Sequence, residues 1–516
     1  MVNSKHNDSK RNQNLSYKWV ALGNTTLGTL IASLDLNIIF IALPTIASEL
    51  DISLFTMVWI IIGYSLVTAS ILLNFGRLGD IFGRVKLYTL GFIIFTFGSA
   101  LCSVSQSGEQ LVGFRIIQAV GAAFLFSNSV AIVTDSFQSN ERGKALGINQ
   151  IAIVLGSVLG LVLGGFLTSY LGWRSIFWIN IPIGMIGVFL SSKYLKELGS
   201  IRKEKIDWLG NISFAGGLFL VLAGITLWSF GIISNILIIF LFIFGGMSLI
   251  ILFVLVEKFI SNEYPMFDFS LFKIKSFLGG NIAILLNSIA RGDFIFLISL
   301  YLQGAYMDLS PVETGIYLIP VSVALAIFGP ISGWLYDRYD SRFFSALGLF
   351  ISGIGFLFLT QLQLETSFVE LLLPFALLGA GMGIFASPNR ASIMNSVPAN
   401  RRGVSASTGT TLFYVGRSLS IGISFLIMTS ILPSEYVKDI IIDFRNTDTI
   451  ITATDNSNAS ISLYSITNNN NNDNDDKTIE NKFLSSLHIV FFVSSILVFI
   501  AIVPAIIKEK KSFNHY

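Results

Sequence analysis

The sequence predicts an all-α polytopic membrane protein with fourteen transmembrane helices, and three observations predict it. Of 516 residues, 53% are hydrophobic and only 12% are charged, where a soluble globular domain carries about 25% charge. Such a chain cannot cover its surface with charge, so its outer face must meet something other than water. The apolar residues fall into long runs, and Lys and Arg collect in alternate loops between them.

A spanning helix needs roughly 20 apolar residues, because each residue rises about 1.5 Å through a hydrocarbon core about 30 Å thick. Its backbone polar groups find no water there, so the helix must satisfy them internally. On that criterion the first six spans cover residues 17–44, 55–75, 86–105, 109–133, 143–168 and 173–194. Two more follow at 208–230 and 233–257. The last six cover 276–303, 311–335, 342–362, 370–395, 403–432 and 484–507.

The loop charges fix the direction. Lys5, Lys10, Arg11 and Lys18 precede the first span, and Arg77, Arg84 and Lys86 follow the second. Arg142 and Lys144, then Lys193 to Lys205, then Lys258, Lys273 and Lys275, Arg338 and Arg342, Arg390 to Arg402, and Lys508 to Lys511 continue the alternation. Glu49, Asp51, Asp308, Glu313 and Glu365 occupy the loops between. Basic loops stay in the cytoplasm, so both termini are expected inside, in a multi-pass protein of the plasma membrane. The expected organisation is a tail at 1–16, a six-helix half at 17–194, and a linker with two extra helices at 195–275. A second six-helix half at 276–507 and a tail at 508–516 complete it. The second half contains a long outside loop, 433–483, with an Asn run that cannot bury a core.

Several classes are disfavoured. A net charge of +2 gives no reason to expect nucleic acid, and the single cysteine, Cys102, rules out an internal disulfide framework and a cysteine-rich metal site. The three histidines, His6, His488 and His515, lie far apart in sequence, and no phosphate-binding Gly-x-x-x-x-Gly-Lys-Ser/Thr loop appears. Neither an enzyme nor an ATP-driven machine is expected, and no cofactor or metal is called for. The one partner expected from composition is the bilayer.

Two loops on the same side resemble each other. Gly76-Arg-Leu-Gly-Asp80-Ile-Phe-Gly83-Arg84 follows the second span, and Gly333-Trp-Leu-Tyr-Asp337-Arg338 follows the tenth, eight spans later. Each sets a carboxylate four residues after a glycine, with a base following. Repeated halves that rock around a midplane site are a recurrent transporter construction. The glycines allow helix ends to approach closely, and the acid and base can form a latch that breaks as the halves separate.

Further motifs accompany this loop. The first span carries Leu34-Asp35-Leu-Asn37 through Ala42-Leu43-Pro44, and the fourth carries Arg115-Ile-Ile-Gln118-Ala-Val-Gly121. Gly172-Trp173-Arg174, Phe177 and Asn180-Ile-Pro182 lead into the sixth, and Tyr301-Leu-Gln303, Ser310-Pro311, Gly315 and Pro320 lead into the tenth. The fifth carries Gly156, Gly160, Gly164 and Gly165. Together these resemble the fourteen-helix drug:proton antiporter branch of the major facilitator superfamily. The resemblance covers nearly all the chain except its two ends and the 433–483 loop. It implies the major facilitator fold and export of small amphipathic, cationic compounds or drugs in exchange for protons by alternating access. Carriage of one specific metabolite, by export or proton symport, is the alternative, and a non-transporting membrane enzyme or receptor on the same fold is a remote one. The partners implied are a small-molecule substrate, protons as coupling ion and the bilayer, with the chain acting as a monomer. The resemblance also assigns Asp135 as the acidic partner of the signature loop, beside Asp80 and Arg84. Two positions depart from the pattern: Leu161 replaces the usual proline of the antiporter motif, and Ile81 stands where a base is common. The missing proline weakens the implication of antiport over symport.

Charges inside the membrane cost about 2.5–3.5 kcal/mol on insertion scales, so they usually have a function. Asp35 is the first candidate for proton exchange, because removal from water favours a neutral carboxyl. Arg115 could pair with it. Arg291 and Asp293 in the ninth span stand two residues apart, so they do not face each other on a helix and each needs its own partner. Asp293 is the second candidate, with Arg291 as counter-charge, and Arg417 is a further charge of open role.

Overall fold

The computed structural model describes residues 2–138, 141–198, 208–230, 232–233, 235–259, 269–304, 307–338, 341–398, 401–431 and 473–507. Within them the side chains of residues 2–16, Leu73, Asn74, Gly76, Arg77, Asp80, Arg142 to Lys144, Leu146, Gln150, Tyr336 to Arg338, Ser341, Arg402, Gly403 and 473–480 fall outside the description. Most of the 433–483 loop and the 508–516 tail also lie outside it.

The described chain is helical, and fourteen helical stretches are long and apolar enough to cross a membrane. The first half contains α1 (Val2–Leu50), α2 (Leu54–Phe82), α3 (Arg84–Ser103), α4 (Gly108–Ser136), α5 (Arg142–Leu171), the short α6 (Ser175–Trp178) and α7 (Asn180–Tyr194). The central pair is α8 (Trp208–Ser229) and α9 (Ile236–Phe259). The second half contains α10 (Lys275–Arg291), α11 (Phe294–Gln303), α12 (Pro311–Tyr317), α13 (Ile319–Arg338), α14 (Ser341–Leu359), α15 (Phe368–Ser396), α16 (Arg402–Ile431) and α17 (Asp473–Ile506).

Three features differ from the sequence expectation. The first span runs through Pro44 to Leu50 instead of stopping at the proline, as membrane helices allow when neighbours re-satisfy the freed carbonyl. The ninth span is two helices, broken at Gly292–Asp293. Arg390 belongs to no loop, for it lies inside α15, which continues to Ser396.

Glycines set the closest helix contacts. A Cβ on Gly156 would meet the Leu30 carbonyl oxygen at 2.5 Å, one on Gly160 the Leu34 oxygen at 2.7 Å, and one on Gly164 the Ile38 oxygen at 2.8 Å. Four-residue spacing on α5 thus matches four-residue spacing on α1, the small-residue seam that membrane helices use where lipid gives no hydrophobic drive. Gly165 faces the other way, against Pro311 of the second half. The halves also meet where α2 packs on α16 and α1 on α11. The central pair covers this seam: α8 packs on both α2 and α16, and Phe230 stands between Phe55 and Phe425, each ring centroid 5.5 Å away. On α9, Phe240, Phe244 and Phe259 are exposed, as lipid-facing side chains should be.

Candidate functional site: an inter-half cavity and two buried charge clusters

A cavity of about 270 Å³ lies between the halves, walled by α1, α4 and α5 on one side and by α10, α13, α15 and α16 on the other. Its lining runs from Leu161 and Phe294 at mid-depth to Asn149, Met394 and Ser405 near the helix ends on the Arg84 side. The opposite end is closed. There Gln303 Nε2 donates to the Ile41 carbonyl at 3.1 Å, and the Val312 amide donates to Ser169 Oγ at 3.2 Å.

Asp35 and Arg115 meet, but away from this cavity, in the interior of the first half. Arg115 Nη1 donates to Asp35 Oδ2 at 2.6 Å. Gln118 Nε2 and Asn180 Nδ2 each donate to Asp35 Oδ1 at 2.8 Å, and both also reach Ser99 Oγ, at 2.7 and 3.0 Å. The Arg115 guanidinium stacks 4.2 Å from the Tyr64 ring centroid. Asp35 and Gln118 are 0% exposed and Arg115 is 1% exposed, so five helices (α1, α2, α3, α4 and α7) converge on one neutralised pair. Gln118 and Asn180 stand in the motifs of the fourth and sixth spans, but their convergence on Asp35 follows only from packing. Tyr64 and Ser99 carry no sequence signal.

The second half treats its charges differently. Arg291 ends α10 and Asp293 precedes α11, so the helix break separates them. Arg291 lines the cavity, and neither its Nε nor its Nη1 has a hydrogen-bond partner. Asp293 turns to α16: Ser420 Oγ donates to its Oδ1 at 2.8 Å, while Oδ2 has no partner. Arg417 lines the cavity, stacks 4.6 Å from the Phe40 ring centroid, and sends Nη2 to the Leu36 carbonyl at 3.3 Å. It thereby touches the first half. The break is also a close approach, since a Cβ on Gly292 would meet Arg417 Cα at 2.7 Å. Arg390 is the third charged residue of the lining. Asn287 lines the cavity as well, whereas Asn128 faces Gly79 of α2.

At the Arg84 end, Arg84 Nη1 pairs with Asp135 Oδ2 at 2.6 Å. Gly83 makes the turn between α2 and α3 with φ of 104°, a conformation glycine adopts without penalty. Glu197 accepts the backbone amides of Arg84 and Val85, both at 2.9 Å, and so caps α3. Gly76 and Asp80 lie in α2 and Asp337 and Arg338 in the last turn of α13, but their side chains lie outside the described residues.

Fourteen helices long and apolar enough to span a membrane, packed around an inner cavity, are the architecture of a membrane transporter. Residues 25–421 match the family model described as Major Facilitator Superfamily, and the chain belongs to that family. It is 34% identical over 399 residues to the "Riboflavin transporter RibZ" of Clostridioides difficile (strain 630), covering 77% of this chain and 85% of that one. It is 30% identical over 437 residues to "Multidrug resistance protein 3" of Bacillus subtilis (strain 168), covering 83% of each. A bacterial homolog of the human lysosomal transporter Spinster, solved inward-facing and occupied, superposes with a TM-score of 0.63 at 14% identity, covering 95% of this chain and 96% of that one. That likeness concerns the fold alone.

Proposed function

We propose that this chain exports small amphipathic organic compounds in exchange for protons, with the inter-half cavity as the transport site and the Arg84 end in the cytoplasm. The observation that carries the reading is the cavity itself, walled by both halves and closed at one end by contacts between them. Rocking the halves about Gly165 and Pro311 would open the closed end. The multidrug resistance relative supports a broad range of cargo, and the basic loops support the orientation. The positive charge expected of the cargo finds no acidic partner among the cavity's lining residues, so the reading is confined to amphipathic compounds.

For the proton site we favour Asp293 over Asp35. Protonating Asp35 would forfeit its bond from Arg115 and leave that guanidinium buried without its counter-charge. Asp293 has one free oxygen beside a helix break, with Ser420, Ser424 and Arg417 facing it. Arg84 with Asp135 would act as the latch, joined by Asp80 and echoed by Asp337 and Arg338. The test is uptake of a fluorescent amphiphile into proteoliposomes under an imposed pH gradient. Wild-type protein should accumulate it, and Asp293→Asn should not. Gradient-driven uptake that survives in Asp293→Asn and vanishes in a folded Asp35→Asn would return the proton to Asp35. A second reading, carriage of a single metabolite, draws on the relative named a riboflavin transporter. Saturable movement of one compound, with no competition from dyes, would favour it.

A further inference from the structure

Every charged residue in the lining of the cavity is an arginine. Arg291, Arg390 and Arg417 come from α10, α15 and α16, and no carboxylate lines the cavity among the described residues. Asp35 is committed to Arg115, and Asp293 faces Arg417 from behind the wall while its Oδ1 accepts from Ser420, so neither carboxylate enters the lining. A cleft lined by one sign of charge, with low-dielectric walls, concentrates counter-ions of the other sign.

Two of these guanidiniums, those of Arg291 and Arg417, are also incompletely satisfied. Arg417 is 6% exposed and its Nε has no partner, and Arg291 leaves two nitrogens unpartnered. Arginine presents a planar fork of donors that matches carboxylate, sulfonate or phosphate oxygens in pairs. Around these forks stand flat apolar groups, Phe40, Phe126, Phe413 and Tyr414, with Phe294 at mid-depth. Donor forks beside aromatic walls fit a molecule with an anionic head and a planar body.

Resting on the reading of this cavity as the transport site, we propose that its cargo is an aromatic organic anion, held by Arg291 and Arg417 and admitted past Arg390. A cation of the same shape meets three like charges and is rejected.

The probes are two dyes with the same xanthene core, fluorescein as the anion and rhodamine 123 as the cation. Binding to the full chain in nanodiscs is measured by equilibrium dialysis at pH 8, where fluorescein is charged. Fluorescein should bind at least about tenfold more tightly than rhodamine 123. Arg417→Gln and Arg291→Gln should each weaken it about tenfold, and Arg417→Lys should restore part of the loss. Neither Nε nor Nη1 of Arg291 is hydrogen-bonded to the fold, so its variant keeps the test open should Arg417→Gln misfold. Equal or tighter binding of rhodamine 123, or fluorescein binding indifferent to both arginines, would overturn the inference. A bulky plug at Ser157 of α5, which lines the cavity, separates this from the transport reading: Ser157→Trp. If the plug stops gradient-driven movement of rhodamine 123 and the cation is preferred, the cavity remains the transport site and only the anion inference falls. If dye movement survives the plug, the cavity is not the route and both fall.

Discussion

The two halves share a packing plan and part company over charge. In the first, a Cβ on Gly121 of α4 would meet the Gly91 carbonyl of α3 at 2.8 Å; in the second, a Cβ on Gly381 of α15 would meet the Gly348 carbonyl of α14 at 2.6 Å. Each half thus draws an equivalent helix pair into backbone contact through glycine. Yet Asp35 in the first half receives three donors and balances Arg115 away from the cavity. In the second, Asp293 is half satisfied, and Arg291 and Arg417 line the cavity while each keeps a buried nitrogen without a partner. Arg115 Nε is itself unpartnered, so the contrast lies in the carboxylates: one with both oxygens bonded is held in place, whereas one with an open oxygen is poised to take up a proton. On the proposed reading, the first half would serve as the fixed wall and the second as the wall that binds.

The sharpest way to break this comparison is to remove an acid from each half. Asp35→Ala strands the Arg115 charge in the interior and should cost about 3–5 kcal/mol of stability, read as a lowered unfolding temperature in detergent. Asp293→Asn should leave that temperature nearly unchanged while abolishing gradient-driven transport. Equal destabilisation by the two variants would erase the distinction between the halves.

Crowding the shared glycines comes next. Gly121→Leu and Gly381→Leu force a side chain into a backbone contact, and each should destabilise by about 1–3 kcal/mol. The two losses should match, because the packing plan does. Gly165→Leu should instead part the halves at their closed end, seen as faster thiol labelling of a cysteine placed at Ser169. Ser420→Ala removes one hydrogen bond from Asp293 and should cost about 1 kcal/mol, with a larger effect on transport than on stability. The smallest effect belongs to Arg84→Ala. Arg84 and Asp135 are 23% and 22% exposed, and partly hydrated pairs contribute about 0–1 kcal/mol. Its stability should barely change, and a changed transport rate would mark the pair as a latch.

Much of this molecule was legible in the chain itself. Apolar run length located all fourteen spans, because a bilayer core demands a fixed length of helix from any sequence. The glycines of the fifth span and the basic loop after the second follow from spacing, since residues four apart share a helix face. The fate of each buried charge was not legible. Asp35 and Asp293 look alike in sequence, each an acid in an apolar run. What separates them is the set of helices that closes around each one: Gln118, Asn180 and Ser99 complete the first, while a helix break pressed against Arg417 leaves the second open. Arg390 resembles a loop charge until α15 carries it to the cavity wall. Membrane thickness acts on the local sequence and so fixes the spans. The partners of a buried charge come from residues tens to hundreds of positions away, so only the tertiary structure decides them.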